Sequence, residues 1–194
     1  LLCANQFWKH KNHLFLFKAY HMAIKNGLCL QLVCTGNMLD YRNPEYIDEI
    51  KRYLMDNQLE DYIKLPGLID SKELLCLMKN AYAVVQPSLF EGWNTTVEDC
   101  KALNKFVFLS DLPVHREQIH TNVCFFDPHD ENKLMEKLLK VVPTHTPFDY
   151  SNNLLEFGEN FLKVIKDITH SGQLLDERVV SNEELPYSHQ MEKD

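Results

Sequence analysis

Apolar positions along this 194-residue chain alternate between short continuous blocks and stripes at helical spacing. Leu1–Ala4 reads as the end of a strand. From Leu14 to Asn26, Phe15, Ala19, Met22 and Ala23 recur on one helical face, and Gly27 follows as a C-cap. Leu28–Thr35 is a short apolar strand that ends at Gly36. Asn43-Pro44 pairs an N-cap with a proline at the first helical position, and Ile47, Ile50 and Leu54 supply the buried stripe. Tyr62–Leu65 is a strand that Pro66-Gly67 breaks. Asp70-x-x-Glu73 is a capping box for a helix carrying Leu74, Leu77 and Met78.

The second half repeats the alternation. Ala81–Gln86 is a strand, and the loop 87–94 leads into a helix holding Val97, Cys100 and Leu103. Phe106–Leu109 and Val123–Phe126 are further strands. Asp130 caps a helix with Leu134, Leu138 and Val141, and a linker with Pro143 and Pro147 follows. Ser151 caps a last helix through Leu154, Phe157, Phe161, Val164 and Ile168. Strands separated by helices predict βαβ units: an α/β fold with a Rossmann-like parallel sheet and helices on both faces. Such sheets bind ligands beyond the carboxyl ends of their strands, so the informative residues are expected in the loops there.

Composition refines this picture. With 45% hydrophobic and 25% charged residues the chain is ordinary globular protein, long enough for one domain and too short for a large two-domain α/β enzyme. Residues 1–170 are expected to form that domain. Residues 171–194 carry six acidic and two basic side chains without periodicity, and read as an acidic, disordered tail holding half of the net charge of −8. The acidic balance argues against a nucleic-acid partner. No apolar run approaches the ~20 residues of a transmembrane segment. The six cysteines show no CxxC spacing and sit mostly in apolar contexts, which points to a reduced, cytoplasmic protein.

None of the six glycines forms GxGxxG, a P-loop or GxSxG, which disfavours nicotinamide dehydrogenases, P-loop kinases and α/β-hydrolases. His10-x-x-His13 has no thiol or carboxylate cluster beside it, so no metal is expected there. The chemistry concentrates in Pro87-Ser88-Leu89-Phe90-Glu91-Gly92-Trp93-Asn94-Thr95-Thr96-Val97-Glu98-Asp99, which follows a buried strand and opens a helix. A helix N-terminus offers free N–H groups to an anion such as phosphate. Gly92 permits close backbone approach, Asn94, Thr95 and Thr96 add donors, and Glu91 and Asp99 flank the turn with acceptors. A ligand with both phosphate and hydroxyls, such as a nucleotide sugar, suits that mixture. Thr95-x-x-Glu98 is also a capping box, so helix initiation explains those two residues equally well. His115 reads either as a solvated loop histidine or as a ligand contact, and Glu117 as a surface charge.

This segment resembles the Glu-x7-Glu signature of retaining GT-B glycosyltransferases of the family 4, or group 1, type. The surrounding order is similar too: a strand followed by Lys11, then Leu32–Gly36, then Ile63-Lys64-Leu65-Pro66-Gly67-Leu68-Ile69, then the Glu91 loop, then Ser110-Asp111 ahead of His115-Arg116-Glu117. The likeness covers about Leu1 to Ile168. It implies the nucleotide-sugar-binding half of a GT-B fold, with the N-terminal acceptor domain absent and the start at Leu1 falling between the halves. It implies transfer of a hexosyl unit from a UDP-, GDP- or ADP-linked donor to a glycan or lipid-linked acceptor, as in polysaccharide biosynthesis, without a metal or other cofactor, and with this fragment alone inactive.

Residue by residue, the resemblance implies that Glu91 holds donor-sugar hydroxyls and Lys11 neutralises the leaving diphosphate. Asp99 stands at the second Glu position and would bind ribose. Backbone around Gly67 and Leu68 would meet the base, and Gly92, Trp93, Asn94, Thr95 and Thr96 would cradle phosphate. Two positions depart: Asp99 is one methylene short of Glu, and Gln6 stands where the family carries Arg, with Lys9 and Arg116 as nearby cations. The expected place is the cytoplasm, or the inner membrane face for the full-length protein. The alternatives are a non-catalytic nucleotide-sugar-binding partner subunit and a nucleotide-sugar epimerase of the same architecture.

Overall fold

The structure, a computed structural model, describes residues 1–179. Six strands, β1 (Leu2–Ala4), β2 (Leu32–Thr35), β3 (Ile63–Gly67), β4 (Val84–Gln86), β5 (Val107–Ser110) and β6 (Val123–Phe126), form one parallel sheet in the order β3-β2-β1-β4-β5-β6. Seven helices connect or follow them: α1 (His13–Lys25), α2 (Tyr46–Asp56), α3 (Ser71–Asn80), α4 (Thr95–Ala102), α5 (Pro113–Gln118), α6 (Glu131–Lys140) and α7 (Ser151–Val179). The expected Rossmann-like class is the one observed.

Period-two alternation along the strands builds two cores. Cys3, Cys34, Val85, Phe108 and Phe126 face α1, α2 and α6, whose Phe15, Leu16, Tyr20, Ile50, Leu54, Leu134 and Leu138 are buried with them. Leu2, Val84, Val107 and Leu109 face the other side, against Met78 of α3, Val97 and Cys100 of α4, and Ile119. Each fully buried side chain of this size contributes about 1.5–3 kcal/mol over its exposed state. That covers both faces, as a parallel sheet requires.

Several boundaries differ from the sequence pattern, each for a local reason. The strand expected from Leu28 begins at Leu32, because Leu28 N–H still caps α1 through Ala23 O. Helix α2 begins at Tyr46 rather than after Asn43, whose side-chain amide donates to Asp40 Oδ2 and whose backbone carbonyl accepts from Tyr46 N–H in the turn before the helix. The same carboxylate accepts from the Lys9 and Arg42 backbone N–H groups, tying the two loops together. Pro66 and Gly67 do not break β3 but belong to it. β3 is an edge strand paired only with β2, so the missing proline N–H costs no ladder bond. The capping box at Asp70 and Glu73 forms as expected, and Asp130 caps α6.

Contacts divide the chain into Leu1–Phe148 and a second unit that begins at Asp149. α7 continues past Ile168 to Val179, so residues 171–179 of the expected tail are helical, and residues 180–194 lie outside the described residues. Phe157 and Phe161, one turn apart on α7, are exposed and stack on each other. Among the described residues no helix is long and apolar enough to cross a membrane.

One glycine is demanded by close approach. Gly36 has φ +145°, and a Cβ there would lie 2.1 Å from the Asn5 carbonyl oxygen. Gly92 has no positive φ, and a Cβ there would meet nothing within 4 Å. Gly36→Ala is therefore expected to lower the unfolding free energy by at least about 2 kcal/mol, and Gly92→Ala by under about 0.5 kcal/mol. Urea denaturation of the two variants checks the contrast, and equal losses would contradict it.

Candidate functional site

The strand order reverses direction between β1 and β4, and the two pair only at Leu2 and Val84. Beyond that point they diverge. Ala4 O accepts instead from the Gln86 side-chain amide (3.5 Å) and from Thr96 Oγ1 (3.3 Å). Crevices of this kind, outside the carboxyl ends of strands at a topological switch point, are where open α/β sheets bind ligands. The carboxyl ends of β1, β2, β3 and β4 and the loops after them bring Gln6, Gly36, Gly67 and Glu91 to this one edge.

Lys11 and Glu91 meet here across 80 residues of sequence. Lys11 Nζ donates to Glu91 Oε1 at 2.7 Å, with the side chains 14% and 8% exposed. The pair is held from both sides. Lys9–Lys11 form a single 3-10 turn, stopped by Asn12 in the left-handed region (φ 61°), a conformation asparagine tolerates. Asn12 Nδ2 donates to Pro128 O, and Leu89 N–H donates to His10 O at 2.8 Å, which stitches the β4 loop to the turn.

Helix α4 opens at the same place. Its N-cap is Asn94, whose Oδ1 accepts from Val97 N–H. The capping box expected at Thr95 and Glu98 does not form. Thr95 is the first helical residue, and Glu98 is taken by Lys101 Nζ (2.8 Å) and Gln118 Nε2 (3.2 Å). Asn94 is the stronger cap because its side chain sits one position earlier, where the backbone is still extended. The N–H groups of the first helical turn at Thr95 and Thr96 have no partner within the helix. Thr96 spends its hydroxyl on Ala4 O.

Asp99 is half-buried on α4. Burial, aided by neighbouring Glu98, holds its carboxyl above the usual carboxylate range. Gln6 is half-buried, and its Oε1 accepts from Asn37 N–H at 2.8 Å, so its carbonyl end serves the β2 loop. Gly67, with φ +79°, accepts from Gly36 N–H through its carbonyl at 2.9 Å. Beside it lies a cavity of about 100 Å³ lined by Asn5, Gln6, Gly36, Leu68, Ile69 and Leu74. Leu68 and Trp93 are exposed, as is Gly92.

Two expectations change. Arg116 does not face the site as a spare cation: it makes a bidentate pair with Asp111 (2.7 and 2.8 Å) and lies over the Phe125 ring. His115 is neither solvated nor in a loop. It is fully buried on α5, a six-residue helix too short for periodicity to reveal, although Pro113 at its first turn is a sequence signal for it. His115 and Gln118 are thus the residues that sequence reasoning undervalued or missed. Of the His10-x-x-His13 pair, His13 is buried and stacks on Phe7, while His10 packs beside Trp8. Glu117 is exposed, as expected.

A single parallel sheet with this strand order is a Rossmann-like domain, here with a carboxylate–lysine pair at its switch point. Residues 1–154 match the family described as glycosyl transferases group 1, and the chain belongs to that family. It is 28% identical over 130 residues to the O-antigen chain mannosyltransferase RfbU of Salmonella typhimurium, covering 64% of this chain and 33% of that protein. The chain thus spans about a third of that relative's length. The crystal structure of Anabaena HepE in complex with UDP and glucose is similar in fold, with TM-score 0.63 and 15% identity over 71% of this chain and 37% of that one. The pneumococcal O-GlcNAc transferase GtfA, in complex with UDP and GlcNAc, matches with TM-score 0.59 and 19% identity over 93% of this chain and 36% of its own.

Lys11→Met leaves a nearly buried carboxylate without its cation and is expected to cost roughly 2–4 kcal/mol of stability. Lys11→Met combined with Glu91→Met should recover about half of that loss or more; a double-mutant cycle by urea denaturation reads the difference, and additive losses would refute the pair's coupling. Asp99→Asn carries the opposite sign. A carboxyl whose folded pKa is raised binds its proton more tightly in the folded state, so its ionisation opposes folding as pH rises through the folded value. The variant should be more stable than the parent at pH 7, and the gain should fade as pH falls through the raised folded value and be gone below the ordinary aspartate range.

Proposed function

We propose that this chain is the donor-binding domain of a retaining glycosyltransferase that moves a hexosyl unit from a nucleotide sugar to a glycan or other acceptor, in polysaccharide biosynthesis. The carrying observation is the Lys11–Glu91 pair at the β1/β4 crevice, directly beside the open first turn of α4. In glycosyl transfer the bond from the anomeric carbon to the diphosphate oxygen breaks, and negative charge builds on the departing diphosphate. Lys11 and the α4 N-terminus are donors preorganised for that charge. Glu91 accepts from hydroxyls of the donor sugar, which carries partial positive charge at the anomeric carbon in the transition state. The acceptor oxygen forms the new bond, and its proton passes to the leaving phosphate. No metal is required in this scheme.

Asp99 supplies the acceptor for ribose hydroxyls. The Gly67–Leu68 backbone lies beside the base, and Gly92, Trp93, Asn94, Thr95 and Thr96 form the phosphate turn. The UDP and sugars in the complexes of HepE and GtfA support a nucleotide-sugar ligand for this fold, and the RfbU likeness supports a polysaccharide-type product. The match covers a third of RfbU, which supports an acceptor site formed outside this domain in a protein of that kind.

A second reading, a non-catalytic donor-binding subunit, is favoured by Gln6, which is uncharged and already engaged with Asn37. Turnover separates the two. In the full-length protein, Glu91→Ala should lower transfer and donor hydrolysis at least about a hundredfold; undiminished turnover in that variant would rule out the assignment of Glu91. For the chain alone, a thermal-shift screen of UDP-, GDP- and ADP-sugars should raise Tm by roughly 5–10 °C at a hundred times the Kd of the correct donor. A flat response to all of them would count against any donor site.

A further inference from the structure

The geometry points to His115 as a positioning residue for Glu91, acting through Asn94 as a hydrogen-bond relay. This rests on the reading of Glu91 as the contact to the donor sugar. His115 Nδ1 lies 2.8 Å from Ser110 O, a carbonyl that can only accept, so Nδ1 carries the proton. Nε2 is then a bare acceptor, and Asn94 Nδ2 lies 3.3 Å from it. The same Nδ2 is 3.3 Å from Glu91 Oε1. An amide nitrogen has two hydrogens, and here one goes to the imidazole and the other to the carboxylate. The Asn94 carbonyl end is fixed independently by Val97 N–H. Oε1 of Glu91 thus receives Lys11 from one side and Asn94 from the other.

Helix α5 supplies a second clamp one turn on. Gln118 accepts from Asn94 N–H through Oε1 at 3.3 Å and donates through Nε2 to Asn94 O at 3.2 Å. Ser110, His115, Asn94 and Gln118 are all buried, so water does not compete for these bonds. The groups facing the imidazole are Ser110 O and Oγ from β5, Asn94 from the loop into α4, and the nearby charges of Glu91 and Lys11. On its own helix, Gln118 is turned to Asn94 and Arg116 to Asp111. Burial disfavours the charged imidazole and lowers its pKa. Protonation would turn Nε2 into a donor aimed at the Asn94 donor, which breaks the relay.

The discriminating variant for ligand binding is His115→Ala, which removes the relay's acceptor without touching the phosphate turn. Asn94→Asp keeps the N-cap acceptor and the length of the side chain, but replaces both donated hydrogens by an acceptor, and serves the NMR measurement of the imidazole. The test titrates the full chain by calorimetry with UDP-glucose against UDP, and GDP-mannose against GDP. His115→Ala should weaken the sugar nucleotide about tenfold or more, and the corresponding diphosphate less than about twofold. His115→Gln, which restores an acceptor, should recover part of the loss. In the wild type, the preference for sugar nucleotide over diphosphate should fall on acidification as His115 takes up its proton. Equal weakening of both ligands would mark a structural role and overturn the proposal. Nitrogen-15 NMR of the imidazole provides a ligand-free arm. It should find the Nδ1–H neutral tautomer in the wild type, with the proton on Nε2 gained at a higher pH in Asn94→Asp than in the wild type. An Nε2–H tautomer in the wild type overturns the relay even if no nucleotide binds, whereas absence of binding with the Nδ1–H tautomer sinks the donor reading and leaves the relay standing.

Discussion

The rest of the site depends on the divergence of β1 and β4. Two parallel neighbours whose connections run to opposite sides pair at one position and then part, and the carbonyl at the end of β1 is left for side chains to satisfy. Thr96 and Gln86 do so, which pins the first turn of α4 over the end of β1. Everything chemical follows from that placement: the helix N-terminus points into the gap, and the loops after four strands gather around it.

The electrostatics of the gap are prearranged. Lys11 and Glu91 are largely withdrawn from water and engaged with each other before any ligand arrives. Charge-assisted contacts of this length are the strong ones among hydrogen bonds, so the pair fixes the distance between a cation and a carboxylate at the crevice. The half-buried Asp99 is the other carboxylate of this region, and burial disfavours its ionisation.

Much of the fold was legible in the residue pattern, because alternation and helical stripes survive in every element long enough to show a period. The capping residues Asp70 and Asp130 were legible for the same local reason. Boundaries failed where a side chain had two possible uses. Asn43 chose Asp40 over a helix, Thr95 yielded the cap to Asn94, and Pro66 was tolerated because its strand lies at an edge. Helix α5 was invisible at six residues, and with it the burial of His115.

The sequence alone determined the class of fold, the segment that carries the chemistry and the types of group in it: a carboxylate, a turn rich in donors, a second carboxylate eight positions on. These are local properties, set by spacing along the chain. Only the tertiary structure decided that Lys11 reaches Glu91 across 80 residues, that Arg116 is withdrawn to Asp111, and that a buried histidine stands behind Asn94. Those outcomes depend on which loops the sheet order brings to one edge and on which polar groups water can still reach, and neither quantity is written in any single stretch of residues.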